Sequence, residues 1–484
     1  LNSSDTENDN IAIGYDAMTT DTAGGTENVA IGNYAMDAHT SGDANVAVGM
    51  NALGANTTGS YNMAFGGNAL DANTTGDSNV AMGKDALTAN TTADNNTALG
   101  HSSLAANTTG HSNAAVGSGA ALTNVDGTYN VAVGKDALYS NSGGGHCVAI
   151  GFNAAYENLA NDVIAIGKQA MEANTTGTRN IAIGTQAYDH SDTENDNIAI
   201  GYQAMTTNTA GGERNIAIGN YAMDALVNGD KNVAIGYQAG TTLTSGEKNT
   251  MIGDNALSTS TTGASNTAVG HAALETSSTG DYNTAIGSSA MVNSTTGSEN
   301  TAIGYGAMYT STTATKSVAV GKNSMRLNTT GTENVAIGYQ AMDKNTTGSE
   351  NTAVGPYAML AAGAGASNTA IGYKAGTAIT GGGNNSLLGF NAGGSLTGGG
   401  NNTFIGKDTG VSGSPGGAFV NADHGVVIGD ENITACHIQV DWTVASDQRD
   451  KTDFTDLDVG LDFVNDLKPV TYKWDKRSKY GDKY

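Results

Sequence analysis

A glycine returns every 17 residues along the first 406 positions, from Gly14, Gly32 and Gly49 through Gly201 to Gly406, 24 times in all with three one-residue slips. A fixed period this short restricts the chain to architectures in which identical units stack, because one unit of this size cannot bury its own apolar face. With 68 glycines, 6% aromatic and 14% charged residues, no thick core is available to override that reading. Collagen is excluded, since its period is three and this chain has 3 prolines.

Counting from each repeat glycine as position zero, −1 is bulky and apolar in all 24 units, −2 is alanine in 21, and −3 is usually Val, Ile or Thr. Alternation with β-branched enrichment predicts a short strand with −3 and −1 on one face and the alanine on the other. The constant bulk at −1 predicts that this face turns into the coil. The alanine face is then expected to meet other copies of the chain. A second apolar patch, as in Ala17-Met18, Ala52-Leu53 and Ala86-Leu87, reads as a second short strand, and Asn56-Thr-Thr-Gly59 as the closing turn.

Asparagine fills −4 in 21 of 24 units, the exceptions being Cys147, Val163 and Ser317. Stacking at a fixed period predicts an Asn ladder, each amide bonding the next. The Asn-Thr-Thr triplets satisfy the glycosylation sequon, yet they stand where turn chemistry already asks for them. Residues Ser4 to Gly14 reappear unchanged at Ser191 to Gly201, a shift of 187, or 11 × 17. The array therefore grows by whole blocks, as a length-setting shaft would. The reading is an all-β parallel β-roll (β-solenoid) of about 24 turns, assembled as a homotrimer because a single thin coil leaves apolar surface wet.

The formal charge of −25 disfavours nucleic acid and anionic membrane as partners. No apolar run reaches the roughly 18 residues of a membrane span, and no signal peptide is evident. Cys147 and Cys436 are 289 residues apart. That is about 80 Å along a straight coil, too far for a disulfide. The eight histidines, among them His39, His101, His146 and His437, have no metal-ligand spacing and read as scattered surface residues. Glycine runs such as Thr380-Gly-Gly-Gly-Asn-Asn385 lack a phosphate-loop lysine. Acidic residues are spread singly, so no glycosidase pair stands out. No cofactor and no metal are expected.

After Gly406 the rhythm fails, which sets the boundaries: a repeat shaft over 1–410, a linker and last displaced repeat over 411–429 ending in Gly425-Val-Val-Ile-Gly429, and a β connector over 430–445. Residues 446–484 differ in composition, with 8 of the 21 Lys/Arg. Ile433 to Val444 alternates as a strand; Leu457, Leu461, Val464 and Leu467 fall at helical spacing behind Thr455 or Asp456 as cap; Pro469 ends that helix. Val470, Tyr472 and Trp474 then alternate as a strand, making this end a small α+β segment.

The Asn28-Val-Ala-Ile-Gly32 unit resembles the head repeat of trimeric autotransporter adhesins, whose β-rolls assemble as trimers, and similar arrays occur in phage tail fibres; the period of 17 is longer than that head's usual one. Ala445-Ser-Asp-Gln-Arg-Asp-Lys451 followed by Leu467-Lys-Pro-Val-Thr-Tyr-Lys-Trp474 resembles the endosialidase-type intramolecular chaperones, the self-cleaving C-terminal domains of phage tail spikes and fibres. That resemblance implies a cut at Ala445–Ser446 with Ser446 as nucleophile and Lys451 as general base, supported by Asp447 and Arg449. A lysine serves as base only when its pKa falls from about 10.4 toward neutrality. Arg449 works in that direction and Asp450 against it. The sequence departs from the family at Thr452-Asp-Phe454. The implied protein is a phage tail fibre or tailspike that holds a host-surface glycan or protein receptor from the virion tail, with an attachment region expected upstream of Leu1 and more of the chaperone beyond Tyr484. A bacterial surface adhesin, a polysaccharide-degrading spike and an ice-binding solenoid are the competing readings.

Overall fold

The computed structural model describes residues 9–20, 24–208, 211–435 and 437. Each repeat contributes one three-residue strand, from β1 (Ile11–Ile13) and β2 (Val29–Ile31) to β24 (Thr403–Ile405) and β25 (Val426–Ile428). Every strand pairs in parallel with its successor, and always in register: Ala12 faces Ala30, Ala182 faces Ala199, Phe404 faces Val427. The chain is an all-β parallel β-solenoid with a 17-residue repeat, and no helix occurs among the described residues. Because the period equals the length of one turn, every position stacks on its own kind.

The facing of the strands is the reverse of the sequence expectation. The −2 alanines point inward: Ala30, Ala199 and Ala302 are fully buried, whereas Ile31 and Ile303 at −1 keep 36% and 38% of their surface. Alanine belongs inside because the coil's interior is filled from the opposite wall. There +3 contributes another alanine and +4 a Met or Leu, such as Met36, Leu53 or Met205, all fully buried. The large β-branched residues at −1 and −3 are outside for want of room.

The patch carrying those Met and Leu side chains is not a second strand either. It is a run of turns in which +2 and +4 both take left-handed backbone angles, as in Gln203 (φ 50°) and Met205 (φ 53°). Side chains in this region cost roughly 1–2 kcal/mol each, and hydrogen bonds between turns offset the cost. The kinks aim successive N–H groups in opposite directions along the stack: Gln203 N donates back to Thr185 O (3.1 Å) and Met205 N forward to Ala222 O (2.9 Å). The repeat glycine itself is required by close approach. At Gly184, with φ +135°, an added Cβ would lie 2.3 Å from the carbonyl oxygen of Gly201.

Two Asn rows satisfy the polar interior. At −4, Asn45 Oδ1 accepts the backbone N–H of Asn62 (2.9 Å), while Asn45 Nδ2 donates across the coil to Gly59 O (2.8 Å). At +7, Asn73 Nδ2 donates to Asn56 Oδ1 (2.9 Å) and to Gly76 O (3.0 Å). The +7 sequon asparagines, including Asn56, Asn73 and Asn107, are fully buried, which closes them to glycosylation in the folded coil. Where the +7 row meets Ser191, Leu226 or Ala362, the preceding Asn174, Asn208 and Asn345 keep a buried Oδ1 without a partner.

His39 corrects the reading of the histidines as surface residues, for it is fully buried in the +7 row. Its Nε2 lies 2.9 Å from Gly42 O and its Nδ1 3.3 Å from Asn56 Nδ2. The network therefore assigns a neutral ring with the proton on Nε2. Burial lowers its pKa against the weaker opposing pull of Gly42 O and Asp43. The unfolded chain takes up a proton first, so the stability His39 contributes is complete above about pH 6.5 and is lost as pH falls from there toward the lower folded value. His39→Asn, which restores the row, is expected to abolish this loss. Hydrogen exchange of the backbone between Asn28 and Asn56 at pH 7.5 and 5 checks it; equal acid sensitivity in both proteins would contradict the assignment.

Candidate functional site

Ala445, Ser446, Asp447, Arg449 and Lys451 lie outside the described residues, as do the helix and strand read near residues 455–474. Cys147 does not supply another nucleophile. It occupies a buried −4 position with Sγ 3.2 Å from Ala160 O, and burial pushes its thiol up to about 11. Two surfaces of the coil remain to carry function.

The first is the outer strand face. Positions −3 and −1 carry no charged residue in any of the 24 repeats, although the chain holds 46 acids and 21 bases. Exposed side chains follow one another along it, including Phe65, Met82, Leu99, Ile150, Ile235, Ile303 and Ile371. At ~4.8 Å per rung the row runs for ~115 Å, and two positions make it ~7 Å wide. The resulting uncharged strip covers ~800 Å²; −1 is apolar at every rung, and −3 is Thr or Ser at some, such as Thr284 and Thr301.

The second is a polar ledge formed by the +2 and +5 rows, both beside the turns. Among the described residues, clefts open on it. One of about 530 Å³ is lined by Tyr34, Asp37, Asn51, Gly54 and Asp71. It exists because Gly54 has no side chain: a Cβ there would meet Asp71 Oδ1 at 2.7 Å and Asp37 Oδ1 at 3.7 Å. Burial raises the pKa of both carboxyls, and for Asp71 the charge of Asp37 adds to it. A second, about 430 Å³, gathers Tyr156, Gln169, Glu172, Gln186, Asp189 and His190. In it Glu172 accepts from Asn153 and Gln169, both at 2.8 Å, and burial raises Asp189. A third, about 330 Å³, is bounded by Ser289, Tyr305, Gly306, Tyr309, Asn323 and Arg326.

The ledge escaped a reading that took the repeats as equivalent. Its signal lies in single phases of the alignment, where glycine interrupts otherwise larger residues at +5 (Gly54) and +2 (Gly306), and where Arg326 precedes Asp343 by one period. Among the described residues, no group of three or more His, Cys, Asp or Glu is placed to hold a metal ion, and no helix is long and apolar enough to cross a membrane.

Residues 446–484 match the model of the family described as chaperone of endosialidase. No curated protein and no solved structure matches the chain.

Proposed function

We propose that this chain is the shaft of a tailspike-like fibre that assembles as a homotrimer through its uncharged strand face, under a C-terminal chaperone that then cuts itself away. The observation that carries the reading is a chaperone-of-endosialidase match downstream of a coil with a ~115 Å uncharged stripe. Three parallel copies present the same rungs at the same spacing, so apolar positions meet their equivalents along the whole length. The facing supports this arrangement better than an alanine contact, because the alanines are committed to the interior. The task of the fibre is attachment to a host surface, with a glycan or protein receptor as its partner and the virion tail as its place.

The chaperone step is single-turnover peptide cleavage. Ser446 Oγ, losing its proton to Lys451, attacks the carbonyl carbon of Ala445. The C–N bond breaks, the Ser446 nitrogen receives the proton as an amine, and an Ala445 ester on Oγ remains. Water then hydrolyses that ester, returning the Ser446 hydroxyl and leaving a shaft that ends in the Ala445 carboxylate. The net change is one water added across one peptide bond.

The protein is expected to separate between Ala445 and Ser446 on refolding, while Ser446→Ala and Lys451→Ala each leave one intact chain that still sediments as a trimer. Mass spectrometry with sedimentation decides it. An intact wild type removes the cleavage, and a monomeric shaft removes the fibre.

A further inference from the structure

The cleft at Gly306 leaves polar side chains unused. At some rungs of the +2 row a side chain bonds to the next rung: Asn51 Nδ2 to Asn68 Oδ1 at 3.2 Å, Asn68 Nδ2 to Asp85 Oδ1 at 2.8 Å, Asn391 Nδ2 to Asp408 Oδ1 at 2.9 Å. Gly306 breaks this row between Ser289 and Asn323, and a Cβ there would sit 2.7 Å from Asn323 Oδ1. Across Gly306 the Asn323 amide and the Ser289 hydroxyl thus meet no side chain of the intervening rung, and both stand at the walls of the opening. Two tyrosines complete it, Tyr305 with 58% and Tyr309 with 38% of their surface exposed.

The guanidinium charge in the cleft is cancelled, and the remaining cation beside it, Lys322 Nζ, stands 5.6 Å from the centroid of the Tyr305 ring. Arg326 donates from Nε to Asp343 Oδ1 (2.8 Å) and from Nη2 to Asp343 Oδ2 (3.3 Å), and the Asp343 side chain is almost fully buried. This bidentate pair fixes the guanidinium plane and does not use Nη1. An anion there would approach a buried carboxylate on a chain of net charge −25. Uncharged ligands with many hydroxyl groups meet no such opposition.

We propose that this cleft binds a neutral hexopyranose unit of a glycan, with the sugar's C–H face against the Tyr309 ring and its hydroxyls on Asn323, Ser289 and Arg326. Its volume, about 330 Å³, lies at the small end of ligand sites. Amphipathic ring faces with a few fixed polar groups suit a ligand that is itself apolar on one face and polar at its edge. The proposal deepens the attachment reading by naming the receptor chemistry, and it rests on that reading only for its biological sense.

The test uses two substitutions that other turns already tolerate. Gly306→Gln fills the opening with the residue found at +2 in Gln203 (φ 50°), Gln238 (φ 54°) and Gln340 (φ 53°). Tyr309→Thr introduces the +5 residue of Thr88 and Thr241. The full chain and both variants are titrated by calorimetry with neutral hexose and N-acetylhexosamine oligosaccharides and with carboxylated oligosaccharides. The expected result is binding of a neutral member, weakened about tenfold or more by each variant with unchanged melting and sedimentation. Neutral binding that both variants retain, no binding of any neutral member, or binding of carboxylated members alone would each overturn the proposal. None of these outcomes touches the fibre reading, which stands or falls on trimer formation and the Ala445–Ser446 cut.

Discussion

Ala199→Asp is expected to unfold the coil around it, whereas Ile200→Asp, one residue along, should leave the coil folded and dissolve the proposed trimer. Ala199 has no exposed surface and sits in register between Ala182 and Ala217. A carboxylate placed there has no cation and no water, and the cost is on the order of 4 kcal/mol or more. In a stack bound by nearest-neighbour contacts, that loss propagates to the adjoining turns. Ile200 is only partly covered within its own coil, so an aspartate there keeps contact with water in the monomer. In the proposed trimer it would bring three like charges onto the seam. Circular-dichroism melting separates the first effect and sedimentation the second. Equal melting losses for the two variants, or an intact Ile200→Asp trimer, would show that the outer face is not the seam.

The second large effect concerns volume shared between the coil's two walls. Alanine at −2 is replaced in the 17-residue array by Met251, Leu387 and Phe404, and the displaced last unit has Val427. Each lies beside a turn whose +4 residue is glycine: Gly240, Gly376, Gly393 and Gly410. A Cβ on Gly240 would come within 2.7 Å of Met251 Sδ, and one on Gly376 within 2.8 Å of Leu387 Cδ1. Gly240→Met alone overfills the interior, at about 1–3 kcal/mol. Met251→Ala alone empties it, at about 2–5 kcal/mol. Together they recreate the preceding turn, where Met223, Leu226 and Ala234 are all fully buried, and Met223 adopts φ 48° where Gly240 adopts 61°. The double variant should therefore melt near the wild type, a coupling of about 2 kcal/mol or more. Additive losses would mean that the two residues do not share one space.

The period carried the stacking, the register and the −4 ladder, because each follows from a turn length equal to the repeat length. The facing of the strand did not follow. Constant bulk at −1 is demanded equally by an interior and by a seam between copies, and the sequence contains no term that separates them. What decides the matter is the wall at +3 and +4, and its role was hidden by backbone chemistry: Met36, Leu53 and Met205 occupy the left-handed region, which side-chain preference assigns to Gly or Asn. His39 was misread for a related reason. Nothing about a lone histidine reveals that it stands in the phase of Asn56 and Asn73 until the +7 row is known to be interior. The clefted ledge depends on deviations in single repeats, so averaging the repeats erases it.

In-register stacking also fixes how the coil responds to load. Tension applied through the chain ends acts on the turns in series, and the bonds of one turn to the next, such as Met205 N to Ala222 O, can part without disturbing turns further along. Each turn released adds about 55 Å of extended chain. A tether of this kind lengthens under pull by successive small yields, dissipating work at every step, instead of failing in one rupture.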